Sequence, residues 1–254
     1  MKIKRLFNYK NTNFDEQLKS VPHNFAATHD NEKGTSELTI YGIIGDSWWY
    51  DSTSAADIDS ALKEANGNNI VIRLNSPGGS AFDGIAIYNR LSSYKKDHNA
   101  KITIHVDGWA CSAASVIAMA ADELIMGLGA MFMIHEASSG VWGAKKDMRS
   151  EADLLEELEE GIIDIYMTKS KVSREEIRAK VDAETWFSAT KTVEIGFATS
   201  TASSVDGKDE EISNLRTENM NLLNELKQLK NQQNQEPTPV EPIKPTNKRK
   251  GFLF

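Results

Sequence analysis

Apolar positions along this chain come in short strand-like runs separated by segments with helical spacing. The run Leu38-Thr39-Ile40-Tyr41-Gly42-Ile43-Ile44-Gly45 reads as a first core strand. Residues 54–65 place Ile58 and Leu62 one helical turn apart, with Ser54 as a cap and Asp57 in the first turn, and Gly67 ends that helix. Residues 70–74, apolar except for Arg73, read as a buried strand. Residues 80–95 carry Ile85, Ile87, Tyr88 and Leu91 at helical positions, and residues 100–106 alternate Ile102, Ile104 and Val106 as a third strand. Strand, helix, strand, helix, strand predicts an α/β fold with a mostly parallel sheet and right-handed crossovers. Beyond it the pattern predicts a small-residue helix over 113–121, a short strand over 123–127 and an apolar run over 130–134. Residues 145–170 predict one long helix, its apolar positions including Met148, Leu154, Leu158, Ile162 and Tyr166. A shorter helix over 173–181 opens on a Ser173–Glu176 capping box.

The flanks differ from this core. Residues 1–37 read as a polar, irregular arm in which Phe7, Tyr9 and Phe14 are spaced anchors. The basic start, Met1-Lys2-Ile3-Lys4-Arg5-Leu6-Phe7, lacks the apolar stretch of a signal peptide. No run approaches the roughly 20 apolar residues of a membrane-spanning helix. Trp48-Trp49-Tyr50 reads as packing over the core, the alternative being an exposed patch for a partner. A globular domain over 38–204 is followed by a heptad pattern over 208–233. Ile212, Asn219 and Leu226 share one heptad position there, and Leu215, Leu222 and Leu229 the other, which predicts a short coiled coil for self- or partner-association. Residues 234–247 form a Pro-rich linker, and residues 248–254 end the chain in a basic cluster with Phe252-Leu253-Phe254.

Composition narrows the classes. A chain of 254 residues with 40% hydrophobic content holds one sizeable core with extensions. A net charge of −8 opposes nucleic-acid binding over the general surface. A single cysteine, Cys111, excludes an internal disulfide and suits a reducing cytoplasm. The acidic run at Glu156, Glu157, Glu159 and Glu160 reads as a solvated helix face rather than a metal site.

Three segments carry candidate chemistry. Gly108-Trp109-Ala110-Cys111-Ser112-Ala113-Ala114-Ser115 sets one serine between a strand and a helix, where a sharp turn can hold a hydroxyl exposed beside backbone N–H groups. Cys111 beside it is a stronger nucleophile in principle but reads as a small buried filler. Asn75-Ser76-Pro77-Gly78-Gly79 follows a strand with two glycines, which permits close approach of a ligand to bare N–H groups. Phe132-Met133-Ile134-His135-Glu136 ends an apolar run on a histidine. Ser112 as nucleophile, His135 as base and Gly79 as an oxyanion donor fill the roles that acyl transfer requires.

These segments, in their order along the chain from Asn75 to His135, resemble the ClpP family of serine peptidases. A fourth, from Thr185-Trp186-Phe187-Ser188-Ala189 to Gly196-Phe197-Ala198, is similar to the family's segment around its catalytic acid. The resemblance implies the ClpP/crotonase-like fold, a repeated ββα superhelix with a handle helix, which here would be the helix over 145–170. It implies catalysis by Ser112 and His135, with Glu184 at the acid position and Asp182 as the alternative two residues earlier. It implies an oxyanion hole from the N–H groups of Gly79 and Ala113, and no metal or organic cofactor. Gly78, Ser80, Ser138, Ser139 and Gly140 would contact substrate, the chain just past Gly79 and the glycine-rich segment after His135 pairing with an extended peptide. Ring-forming homo-oligomers acting on protein substrates are also implied. The aromatic start of the domain, the Glu184-Thr185-Trp186 motif and the long tail look more like head maturation proteases of tailed phages, which cut scaffold or capsid protein without ATP. That places the protein in a bacterial host cytoplasm or inside a prohead, with the C-terminal tip docking onto a capsid or scaffold protein. Two alternatives stay open: a cytoplasmic degradative peptidase with an ATPase partner, and a ClpP-fold scaffolding protein whose catalysis has lapsed. His135 opposes both a crotonase-type acyl-CoA enzyme and a Ser-Lys peptidase using Lys145 or Lys146.

Overall fold

The computed structural model describes residues 21–46 and 51–202. The segments bearing Phe7, Tyr9 and Phe14, Trp48-Trp49-Tyr50, the heptad pattern, the linker and the C-terminal tip lie outside the described residues.

The centre of the fold is a mostly parallel sheet. β1 (Asn24–Asp30), β2 (Thr35–Ile44), β4 (Asn69–Gly79), β5 (Ile102–Cys111), β6 (Glu123–Met126) and β9 (Ser200–Thr201) lie side by side in that order. β3 (Ser52–Thr53) joins the end of β2, and β7 (Met131–Ile134) runs between β5 and β8 (Thr185–Ser188). β1 with β2 and β7 with β8 are antiparallel, and the other pairs are parallel. Alternation along the strands decides which face is covered. Leu38 and Ile40 of β2, Ile70, Ile72 and Leu74 of β4, and Ile102, Ile104 and Val106 of β5 are fully buried. Their core is completed by Ile58 and Leu62 of α1 (Ala55–Ala65) and by Ile87, Leu91 and Tyr94 of α2 (Ala81–His98). The intervening residues form a polar face, where Arg73 pairs with Asp107 and the Tyr41 hydroxyl donates to Asp107 at 2.6 Å.

Local chemistry sets the helix ends. Ser54 accepts the Asp57 N–H at 3.2 Å while Asp57 accepts the Ser54 N–H at 2.8 Å, a reciprocal capping box. Ser80 caps α2 and Ser173 caps α5 (Arg174–Asp182) from one side, each hydroxyl accepting the N–H three residues on, so Ser173 and Glu176 form half of the capping box that the sequence suggests. Asn66 and Asn99 end α1 and α2 in left-handed conformations. The six residues of α3 (Ala113–Ala118) are all buried. The long helix is α4 (Lys145–Met167), and α6 (Ala189–Glu194) follows β8.

The structure differs from the sequence reading in three places. Residues 24–30, read as part of an irregular arm, pair in full with β2, from Asn24 opposite Tyr41 to Asp30 opposite Thr35. β4 and β5 run on through Gly79 and Cys111, where glycines and small residues had suggested turns. Gly78 and Gly79 pair with Ile43 and Ile44, and Trp109 to Cys111 pair with β7. The chain past Gly79 is helical from Ala81, so it presents no strand edge to a peptide. Residues 138–143, readable from the sequence as strand or loop, are loop.

Candidate active site

Strand register brings the candidate residues together. The C-terminal half of β5 leaves β6 and pairs with β7, Cys111 opposite Met133. β7 pairs in turn with β8, Ile134 opposite Thr185. Ser112 therefore follows the end of β5, His135 follows the end of β7, and Glu184 precedes the start of β8. Parallel and antiparallel pairing place all three at one edge of the sheet. His135 Nε2 lies 2.8 Å from Ser112 Oγ. Glu184 and His135 line one small cavity, which Asp182 also borders.

Backbone geometry marks the same positions. Among the described residues, non-glycine positive φ occurs at Asn66, Asn99, Ser112 and Glu184. The two asparagines are helix ends, where that conformation is common. Glu184 (φ 51°) likewise follows the end of α5, its N–H donating to Val181 O at 3.1 Å, whereas Ser112 (φ 54°, ψ −127°) holds it at a helix start, without such an excuse. At Ser112 the strain is maintained by bonds on both sides. Its N–H donates to Met133 O at 3.0 Å, and its carbonyl accepts the N–H of Ser115 at 2.9 Å and of Val116 at 3.3 Å. Gly78 makes room for this turn: a Cβ there would stand 2.7 Å from Ser112 Cβ and 2.6 Å from the Cys111 carbonyl. Cys111 itself is fully buried.

A cavity of about 270 Å³ opens beside the pair and is lined by Gly79, Ser80, Ser112, Ala113, His135, Ser138 and Ser139. Its far wall is apolar, with Phe82 and Val116 facing Leu154, Leu158 and Ile162 of α4. Of the remaining candidates, Gly78 packs behind Ser112 and Gly140 stands in open space. Asp182 is half exposed and lies 3.7 Å from Arg178 on its own helix, whereas Glu184 accepts the Trp186 indole N–H at 3.3 Å.

Residues 51–204 match the family described as Clp protease. The chain belongs to the Clp protease family. Like its relatives named as proteolytic subunits, it is a serine peptidase. It is similar to proteolytic subunit 1 of the ATP-dependent Clp protease of Chlamydia muridarum, 32% identical over 134 residues that cover 51% of this chain and 68% of the relative. The proteolytic subunit from Streptococcus pneumoniae is 32% identical over 132 residues, covering 50% and 65%. A mutant of ClpP1 from Listeria monocytogenes shares the fold at a TM-score of 0.55 and 22% identity, over 65% of this chain and 90% of that one. Among the described residues, no helix of this Clp protease is long and apolar enough to cross a membrane.

Several residues around the site of this Clp protease carry more than the sequence pattern suggested. Trp186, two residues past Glu184, turns its indole N–H back to that carboxylate across the left-handed turn after α5, a contact that strand alternation in the sequence does not signal. Glu159 is no solvated charge. It is buried, accepts the Ala137 N–H at 2.9 Å, and pairs with Arg178 of α5 at 2.5 Å. Glu160 pairs with Arg174 and Arg178, and this holds its carboxyl below the usual range. Only Glu156 and Glu157 of the acidic run are exposed as expected. Tyr166 is buried, packed on Phe197 at 5.4 Å between ring centres, and its hydroxyl lies 2.6 Å from Ser115 Oγ.

Proposed function

We propose that Ser112 is the nucleophile, His135 the general base and Glu184 the acid of an endopeptidase that cuts scaffold or capsid proteins during phage head maturation. The observation that carries the chemistry is the 2.8 Å contact between His135 Nε2 and Ser112 Oγ, made at a serine on a strained turn. His135 takes the Ser112 proton as Oγ attacks a peptide carbonyl. The N–H groups of Gly79 and Ala113 receive the developing oxyanion. His135 then passes the proton to the leaving amine, and water, activated by His135, hydrolyses the acyl-enzyme. Glu184 holds the other ring nitrogen in the correct tautomer and stabilises the imidazolium. No step calls for a metal or organic cofactor. The apolar wall of the cavity suits a hydrophobic side chain next to the scissile bond.

The head-maturation role is supported by the tail: residues 208–254 carry a heptad pattern and a basic-aromatic tip that a degradative peptidase does not need. A ring of subunits would supply the chamber for protein substrates. The second reading, a degradative subunit working with an ATPase, is favoured by the relatives, which are named as parts of ATP-dependent proteases.

Labelling by a fluorophosphonate probe tests the chemistry. Labelling is expected in the wild type, absent in Ser112→Ala and sharply reduced in His135→Ala and Glu184→Gln. An assembled wild type that does not label sinks the assignment and favours a scaffolding protein. Co-expression with capsid and scaffold proteins then separates the two peptidase roles. Specific, Ser112-dependent cleavage supports maturation, whereas cleavage of unfolded protein only with an added Clp ATPase supports degradation.

A further inference from the structure

Ser112 presents its carbonyl to three donors: the N–H groups of Ser115 and Val116, and the Ser115 hydroxyl at 2.6 Å. Ser115 Oγ also lies 2.6 Å from the Tyr166 hydroxyl. A serine hydroxyl has one proton to give. A carbonyl can only accept, so the Ser115 proton points at Ser112 O and Tyr166 must donate to Ser115. The direction of the chain is thus fixed: Tyr166 O–H to Ser115 O–H to Ser112 C=O. Ser115 is fully buried, and Tyr166 is held by Phe197, whose ring also packs on Phe132 and Phe187. Burial pushes the Tyr166 phenol up, so it stays protonated and keeps its donor.

We propose that Tyr166 and Ser115 are positioning residues that polarise the Ser112–Ala113 peptide and strengthen its N–H as the oxyanion donor. The inference rests on the assignment of Ser112 and Ala113 given above. Hydrogen bonds to an amide carbonyl draw charge toward oxygen, raise the double-bond character of C–N and make the N–H a better donor. The same chain pins the Ser112 carbonyl, and with it the strained turn that aims Oγ at His135. Tyr166 belongs to α4, so the long helix reaches the oxyanion donor through a single side chain.

Steady-state hydrolysis of a fluorogenic peptide by the full chain tests this, with Tyr166→Phe, Ser115→Ala and the double variant. Tyr166→Phe should lower kcat about tenfold and leave KM within about twofold, a fraction of the loss seen when an oxyanion donor is removed outright. Affinity for a peptide aldehyde, which forms a tetrahedral adduct on the serine, should fall by the same factor as kcat/KM. Because Tyr166 acts through Ser115, the double variant should be no slower than Ser115→Ala alone. Fully additive losses, or a Tyr166→Phe enzyme with wild-type kcat, overturn the relay. If Ser115→Ala does not fold, Tyr166→Phe decides alone, since it keeps the ring in its aromatic cluster. A wild type whose turnover vanishes in Ser112→Ala but persists in Tyr166→Phe sinks the relay and leaves the peptidase assignment standing. A wild type without turnover sinks both.

Discussion

The Ser112 N–H donates to the Met133 carbonyl at 3.0 Å, tying the turn after β5 to β7 two residues before His135. That bond holds a serine at φ 54°, where an L-residue costs about 1–3 kcal/mol. The strain has a readable consequence. Ser112→Gly and Ser112→Ala should both be unlabelled by a fluorophosphonate. Ser112→Gly should nonetheless be more stable than Ser112→Ala by about 1 kcal/mol, because glycine adopts positive φ freely. Chemical denaturation of the two variants checks this, and equal midpoints would show that the turn is not strained.

Gly78 and Gly129 offer a second contrast. Both have positive φ, but a Cβ on Gly78 would meet three atoms of residues 111–113 within 2.9 Å, while Gly129 has open space. Gly129→Ala should cost about 1 kcal/mol and leave turnover intact. Gly78→Ala should cost on the order of 3 kcal/mol and abolish turnover, since the collision is with Ser112 itself. Melting temperatures and peptide hydrolysis measured together separate the two outcomes.

The choice of acid can be decided by rate. Glu184→Gln should lower kcat about a thousandfold with little change in KM, as loss of a triad carboxylate does. Asp182→Asn should stay within about twofold of wild type, because its ion pair with Arg178 is a weak surface one. Trp186→Phe removes the indole N–H from Glu184 and should cost about tenfold in kcat, the scale of one hydrogen bond to a charged group. The reverse order, with Asp182→Asn severe and Glu184→Gln mild, would move the acid to Asp182.

Glu159 joins three segments: α4, α5 through Arg178, and the chain just past His135 through the Ala137 N–H. Glu159→Gln should destabilise the fold by about 2 kcal/mol, the scale of a hydrogen bond to a charged group, since Arg178 loses its most buried carboxylate partner and keeps Glu160 and Asp182. Replacing both partners, as in Glu159→Met with Arg178→Met, should recover part of that loss. Denaturant midpoints across the double-mutant cycle provide the measurement.

His105 gives a pH dependence of stability. Burial holds its imidazole below the ordinary value and the Arg73 cation adds to this, while Asp107, Glu37 and Glu123 pull the other way. The unfolded chain therefore binds the proton first. The stability His105 contributes is complete above its unfolded value of about 6.5 and is lost as pH falls through that value toward the folded one. Thermal melts from about pH 7.5 down to about pH 5 should drop less steeply in His105→Gln than in wild type. Parallel curves would show that His105 does not titrate differently on folding.

Much of this was legible in the chain itself. Alternation in residues 38–45, 70–74 and 100–106 gave the central strands, and Ser54, Ser80 and Ser173 marked helix starts that their side chains indeed cap. Ser112 and His135 stood out because hydroxyl and imidazole followed apolar strands. β1 was hidden because Asn24 to Asp30 has few apolar residues, and its identity as a strand comes from pairing with β2. Glu159 reads as a surface charge in the sequence because its partner, Arg178, lies on another helix.

The sequence by itself determined the strand and helix order and the side chains that carry chemistry, because periodicity and capping act over a few residues. Only the tertiary structure decided that β5 splits between β6 and β7, that β8 returns antiparallel, and that Glu184 rather than Asp182 meets Trp186 beside the small cavity at His135. Those outcomes depend on hydrogen bonds between segments far apart in the chain, and the positive φ of Ser112 needs one such bond, to Met133, besides the local ones to Ser115 and Val116.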